Sequence, residues 1–151
     1  MARKQPFTFE EFKEIYSKVP RLCVDLIIKT NKGVLLTLRQ KNGYAGQWHF
    51  PGGTVLYREP IIDAINRVAN EELGIGVEVK KLIGFLEYPS EQKERGFGYT
   101  ISLAFLCKPK SSIFKLDDQV EKAEYFAVPP ENTIQEQKEL LYKLSKKNEK
   151  L

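Results

Sequence analysis

Residues 52–74, GGTVLYREPIIDAINRVANEELG, decide how the chain is read. A glycine pair and a short loop lead to Glu59-Pro60, and the apolar spacing from Ile61 to Leu73 predicts a helix closed by Gly74. Proline suits the first helical position and glycine the residue after the last. On a wheel of about 100° per residue with Arg67 at zero, Ala64, Val68, Ile61 and Ile65 fall between roughly 60° and 160°. Ala69, Ile62 and Leu73 fall between roughly 200° and 240°. The apolar arc is about half the circumference, as for a helix covered on two sides. Glu71 lies near 40°, at the edge of that arc, and Glu72 near 140°, inside it, with Val68 between them at about 100°.

A carboxylate buried alone is costly or takes up a proton, and two close together also repel. Something positive is therefore expected on this face. A divalent cation held by carboxylate oxygens is one answer. The other is ion pairing, Arg67 with Glu71 at i,i+4 and a distant Lys or Arg with Glu72. The helix alone leaves both standing. Gly52-Gly53 tips the reading toward a ligand, because glycines let backbone groups approach one closely. Glu59 is expected to cap the helix start.

Outward from this helix, 8-TFEEFKEIYSKV-19 carries a capping-box pattern, Thr8 with Glu11, and predicts a helix stopped by Pro20. The runs 21–30 and 34–40 read as a hairpin around 31-NKG-33, followed by a loop at 41–47 and a short strand around Trp48 to Phe50. Strands are predicted within 76–90 and 98–109 around a charged loop, 91-EQKERGF-97, then at 123–128, with an amphipathic helix over about 133–147. Strands, one inserted helix, more strands and a last helix predict an α+β fold, a mixed sheet sandwiched by helices, in a single domain over 1–151.

Composition narrows the function. With 151 residues, 42% apolar, the chain can bury a real core. The net charge of +4 is small and scattered, which disfavours a nucleic-acid binder. Cys23 and Cys107 sit in apolar runs and read as free core thiols. With no membrane-spanning run and no apolar leader in MARKQPFTFEEF, a reducing, cytoplasmic setting is expected.

Gly53, five residues, Glu59, seven residues, Arg67, then Glu71-Glu72, one residue and Gly74-Ile75 resembles the Nudix box, G-x5-E-x7-R-E-U-x-E-E-x-G-U, U being bulky and apolar. The resemblance implies an α/β/α sandwich and Mg²⁺-dependent hydrolysis of a nucleoside diphosphate linked to a moiety X, with Mn²⁺ as an alternative ion. It implies metal ligands at Glu71, Glu72 and the Gly52 carbonyl, with Glu59 and Arg67 bracing the loop. Val68 stands where the family has a further glutamate, and Ala69 where it has a bulky apolar residue.

The GDP-mannose mannosyl hydrolases are similar in lacking that glutamate. Asp25 in 20-PRLCVDLII-28, Arg39 in 34-VLLTLRQ-40 and the run 46-GQWHFPGG-53, which holds Gly53, match that subgroup's substrate side; Gln119 matches a metal ligand. Its general-base histidine is Val120 here, and the arginine after its double glycine is Thr54. Attack at phosphorus or at sugar carbon thus stays open. The subgroup also implies a homodimer.

Other candidates are weaker. His49, the lone histidine, is expected to pack rather than act as a base. Acids in 117-DDQVEKAE-124, especially Glu121 and Asp118, are the preferred bases, with Glu87 behind them. Arg39, Lys41 and Arg95 are cations for a diphosphate, the last two read mainly as surface residues. Tyr16, Tyr44, Tyr88, Phe97 and Tyr99 are available to a base ring. Site candidates are therefore Glu72, Glu71, Arg67 and Glu121 for catalysis, Arg39, Asp25 and Gly53 for substrate, and Gly52, Glu71, Glu72 and Gln119 for metal. A nucleotide-binding module without hydrolysis is the alternative, given Val68.

Overall fold

The computed structural model describes residues 5–39 and 43–146. Its spine is β1 (Arg21–Thr30), whose residues 23–28 are all buried. Such a run suits a strand covered on both faces. It pairs in parallel with β6 (Thr100–Pro109) and antiparallel with β2 (Gly33–Arg39) and β4 (Gly52–Thr54). β3 (Trp48–His49) and β7 (Val120–Phe126) pair with β2, and β5 (Val77–Glu87) pairs with β6. The result is a seven-stranded mixed sheet.

Helices cover both faces, giving the expected α+β sandwich. On one face α2 (Ile61–Leu73) packs Ala64, Ile65, Val68, Ala69 and Leu73 against Val24, Leu26, Ile28 and Leu35. On the other, Ile134 and Leu144, the latter in α4 (Gln135–Lys146), join Ile27, Leu36, Phe50 and Leu106. Side chains alternate along a strand. Val24, Leu26 and Ile28 therefore serve α2, while Asp25 shares the opposite face with Ile27. Cys23 and Cys107 are buried free thiols.

Several boundaries differ from the sequence reading. Thr8 and Glu11 form the capping box, but α1 spans only Phe9–Tyr16. The Ser17 hydroxyl donates to the Lys13 carbonyl, and the Lys18 and Val19 N–H groups both turn back to Ile15, so the chain leaves the helix before Pro20. The charged loop holds a short helix, α3 (Glu91–Arg95), closed by Gly96 at φ 82. β7 begins at Val120, ahead of the expected 123. α4 starts late because Thr133 bridges Trp48 in strand fashion, and its expected last residue, 147, lies outside the described residues.

Glu59 does not cap α2; Pro60 takes that position without a side-chain bond. Glu59 is instead buried under the guanidinium of Arg67, at 2.8 Å to Nε and 3.0 Å to Nη2, and accepts the Leu56 N–H at 3.1 Å. Arg67 also donates to the Thr54 carbonyl at 2.7 Å and to Glu71 at 3.1 Å. One side chain thus ties the loop 54–59 and β4 to the last turns of α2. Arg67→Ala removes the charge facing a buried carboxylate, and breaking such a pair costs about 3–5 kcal/mol. Urea unfolding should show a loss of that size; a loss under about 1 kcal/mol, the level of an exposed pair, would contradict the bracing.

Candidate active site

The last turn of α2 ends at Gly74, left-handed at φ 66. A Cβ there would meet the Cβ of Lys115 at 2.8 Å, so the glycine lets the loop after β6 dock on the helix end. The Lys115 N–H donates to the Leu73 carbonyl and the Asp117 N–H to that of Glu72. Docking carries Asp117 and Gln119 onto the face that holds Glu71 and Glu72. These four residues line one cavity of about 150 Å³ with Arg39, His49 and Val120.

Glu72 is the exceptional group in that cavity. Its Oε2 is buried with no hydrogen-bond partner among the described residues. Burial pushes its carboxyl up to about 8, against the pull of Arg39 and of the Gly52 N–H that bonds it. Asp25 and Asp117 push it further up. Glu71 is more open and bonded to Arg67. Of the two earlier answers, ion pairing accounts for Glu71 through Arg67, whereas Glu72 keeps an unmet oxygen.

That oxygen, with Glu71, Asp117 and Gln119 around the cavity, is an all-oxygen donor set of the kind hard divalent cations take. Among the described residues no compact group of three or more His, Cys, Asp or Glu side chains forms a ready-made cage. The donor set fits an ion that is also held by its substrate's phosphates, as Mg²⁺ commonly is.

Val68 explains part of this sparseness. It is buried in the core under β4, and a Cβ on Gly53 would come within 3.1 Å of its Cγ2. The wheel placed it between the two acids; in the fold it faces the strand, as a packing residue.

Asp25 and Gly53 line an adjoining pocket, on the α4 side, joined to the first through Arg39 and His49. Asp25 accepts the Tyr88 hydroxyl at 2.5 Å, and Gln137 donates to Tyr88 at 2.9 Å. Burial raises the Asp25 carboxyl to about 6. Burial, with Arg39 adding to it, lowers His49 to about 4, so the imidazole is neutral at pH 7. With Phe50's carbonyl 2.8 Å from Nδ1, that nitrogen carries the proton. His49 is thus packed, as expected, although it borders both cavities.

Three sequence expectations change. Glu121 is exposed on β7 and lines neither cavity; with Val120 turned inward, strand alternation turns Glu121 out. Asp117, ranked behind Glu121 and Asp118 among the acids of that loop, is the one that reaches the cavity. Arg95 is no surface residue but lines the second pocket. Asp118 is exposed and Glu87 accepts from Tyr99 at the sheet surface, both away from the cavities, while Lys41 lies outside the described residues. Arg21, Glu91, Tyr88 and Gln137 line the second pocket without any spacing signal in the sequence.

Folded Glu72 keeps its proton to about pH 8, while the unfolded chain releases it near 4.5. The metal-free fold therefore loses stability as pH rises through that window. Above pH 6.5 folded Asp25 is largely ionised, and unfolded His49, releasing its proton near 6.5, changes stability by only about 0.4 kcal/mol in the opposite sense. The unfolding free energy from urea titration in chelator should then fall between pH 6.5 and 8 by about 2 kcal/mol in wild type and stay nearly flat in Glu72→Gln. Equal slopes would contradict the assignment.

With this geometry in place, comparison with known proteins is informative. The NUDIX domain profile matches residues 19–146. Among curated relatives, the low-salt glycan biosynthesis protein Agl8 of Haloferax volcanii is 42% identical over 52% of this chain and 51% of its own. An ADP-ribose pyrophosphatase of Methanocaldococcus jannaschii is 32% identical over 71% of this chain and 62% of its own. The chain thus matches less than two thirds of either relative's length. The crystal structure of a MutT NUDIX hydrolase from Burkholderia pseudomallei superposes with a TM-score of 0.73 at 25% identity, covering 83% of this chain and 98% of that one. No helix among the described residues is long and apolar enough to cross a membrane. The fold, the box residues around Glu72 and the profile match agree: the chain belongs to the Nudix domain family.

Proposed function

We propose that the chain is a divalent-cation-dependent hydrolase of nucleoside diphosphates linked to a second moiety, with a nucleotide sugar as the preferred class of substrate. The observation that carries this is the buried, unpartnered Oε2 of Glu72 beside Glu71 and Arg39. The names of the two relatives, one in glycan biosynthesis and one acting on ADP-ribose, support a sugar-bearing nucleotide.

Glu72, Glu71 and Gln119 would hold Mg²⁺, with Mn²⁺ as substitute. When bound, the ion neutralises the diphosphate and stabilises the leaving oxygen. Arg39 contacts the phosphates as a fixed, bidentate cation. Arg67 positions Glu71 and the β4 loop without touching substrate. Asp117 is the acid placed to take the proton of the attacking water. Gly53 and Asp25 shape the pocket beyond. The protein works in the cytoplasm, as a homodimer, in this reading.

A second reading is supported by Val68, which packs in the core and leaves the acid set thin: a nucleotide-binding module with weak or no turnover. A panel of nucleotide sugars, dinucleotides and nucleoside triphosphates with Mg²⁺ or Mn²⁺ separates the two. The hydrolase reading expects turnover that Glu72→Gln lowers at least about a hundredfold, since losing a group that stabilises the transition state costs about 2.7–4 kcal/mol. Tight binding without turnover favours the module, and undiminished turnover in Glu72→Gln refutes the metal site. Free sugar plus nucleoside diphosphate marks attack at carbon; nucleoside monophosphate plus sugar phosphate marks attack at phosphorus.

A further inference from the structure

The second pocket, about 90 Å³, carries three guanidiniums, Arg21, Arg39 and Arg95, against the carboxylates of Asp25 and Glu91. Each acid is already engaged. The Tyr88 hydroxyl donates to Asp25. Glu91, 3% exposed, accepts the Thr100 hydroxyl at 2.8 and 3.1 Å and the Arg21 guanidinium at 3.1 Å. Arg95 comes no nearer to Glu91 than 3.7 Å, and its buried Nε has no hydrogen-bond partner among the described residues. Its side chain is only 16% exposed. A buried guanidinium Nε with no hydrogen bond, its carboxylate partner as far as 3.7 Å, is a costly arrangement unless a ligand supplies an acceptor.

The position of Arg95 is fixed from outside the pocket. Its helix, α3, is tied to the loop 44–47 by Glu94, which accepts the Tyr44 N–H and the Gln47 amide. The bare Cα of Gly43 makes room for it, since a Cβ there would meet the Arg95 Cγ at 2.8 Å. Burial, with Arg21 and Arg39 near enough to repel it, lowers the pKa of Arg95. The loop and helix therefore hold a third positive charge where two others already stand.

We propose that this pocket is an oxyanion subsite in which Arg95, with Arg39, binds a phosphoryl group of the ligand on the far side of Arg39 from Glu72, and that Arg95 determines specificity for ligands carrying it. The proposal rests on the nucleotide-hydrolase reading for its biological ligand but not for its chemistry. A forked donor beside a second guanidinium suits a phosphoryl group. That group comes either from the diphosphate bridge or from a separate phosphate on the X moiety.

The test is calorimetric titration of the metal-free protein with inorganic pyrophosphate and with orthophosphate. Wild type is expected to bind pyrophosphate, Arg95→Gln at least about tenfold more weakly, Arg95→Lys in between, and Glu121→Gln, at an exposed position outside both cavities, no more weakly than wild type. A preference for pyrophosphate assigns the group to the bridge; equal affinity for orthophosphate assigns it to a separate phosphate. Wild-type affinity in Arg95→Gln, or no binding of either anion by wild type, overturns the proposal. If Arg95→Gln fails to fold, Arg95→Lys decides, and unchanged affinity there overturns it. Arg95-dependent binding without turnover of any nucleotide would refute the hydrolase reading and keep the subsite. Turnover lost in Glu72→Gln alongside Arg95-independent anion binding would do the reverse.

Discussion

Glu72 is half-buried at the end of α2, its Oε2 wholly so and without a partner among the described residues, and the surrounding structure is organised to keep it there. A helix end would normally expose such a side chain. Here the loop after β6 docks on that end, which Gly74 permits, and β4 supplies the Gly52 N–H. Arg67 fastens β4 and the loop 54–59 to the same helix through a buried pair with Glu59. The cost of holding Glu72 out of water is thus met by several covalently distant segments. A proton, which the metal-free carboxyl keeps to about pH 8, relieves that cost, and so would the cation proposed above.

The sandwich separates two kinds of charge by strand alternation. On the α2 side Glu71, Glu72 and Asp117 gather negative charge at one cavity. On the α4 side Arg21 and Arg95 gather positive charge at a second. Arg39, at the end of β2, lines both, and a register shift falls between Leu38 and Arg39. Bulges commonly re-aim a side chain beside a site. A ligand with a cation-bound phosphate and a further oxyanion matches this polarity.

The box helix was legible because its constraint is local. Apolar period, Gly74 and the two acids sit within one stretch, so Ile61–Leu73 and the burial of Glu72 followed from spacing alone. The Glu59–Arg67 pair came from the family resemblance, since wheel geometry offered only Arg67 with Glu71; the fold contains both. Val68 misled for a physical reason: a wheel gives direction around an axis but not which neighbour lies there, and β4 covers that side. The second pocket was illegible because its residues come from β1, β6, α3, α4 and Tyr88 just after β5, brought together only by the β1–β6 and β5–β6 pairings. Arg95 read as a surface charge in EQKERGF, since nothing local shows that Glu94 ties that segment to the loop 44–47.

The account turns on a cation meeting Glu72. Titration with Mn²⁺ followed by electron paramagnetic resonance, on wild type and Glu72→Gln, tests this most directly. Binding should weaken in the variant by more than about tenfold, a loss that removal of even an outer partner of a metal site can cause. Mn²⁺ bound equally by both proteins would contradict it.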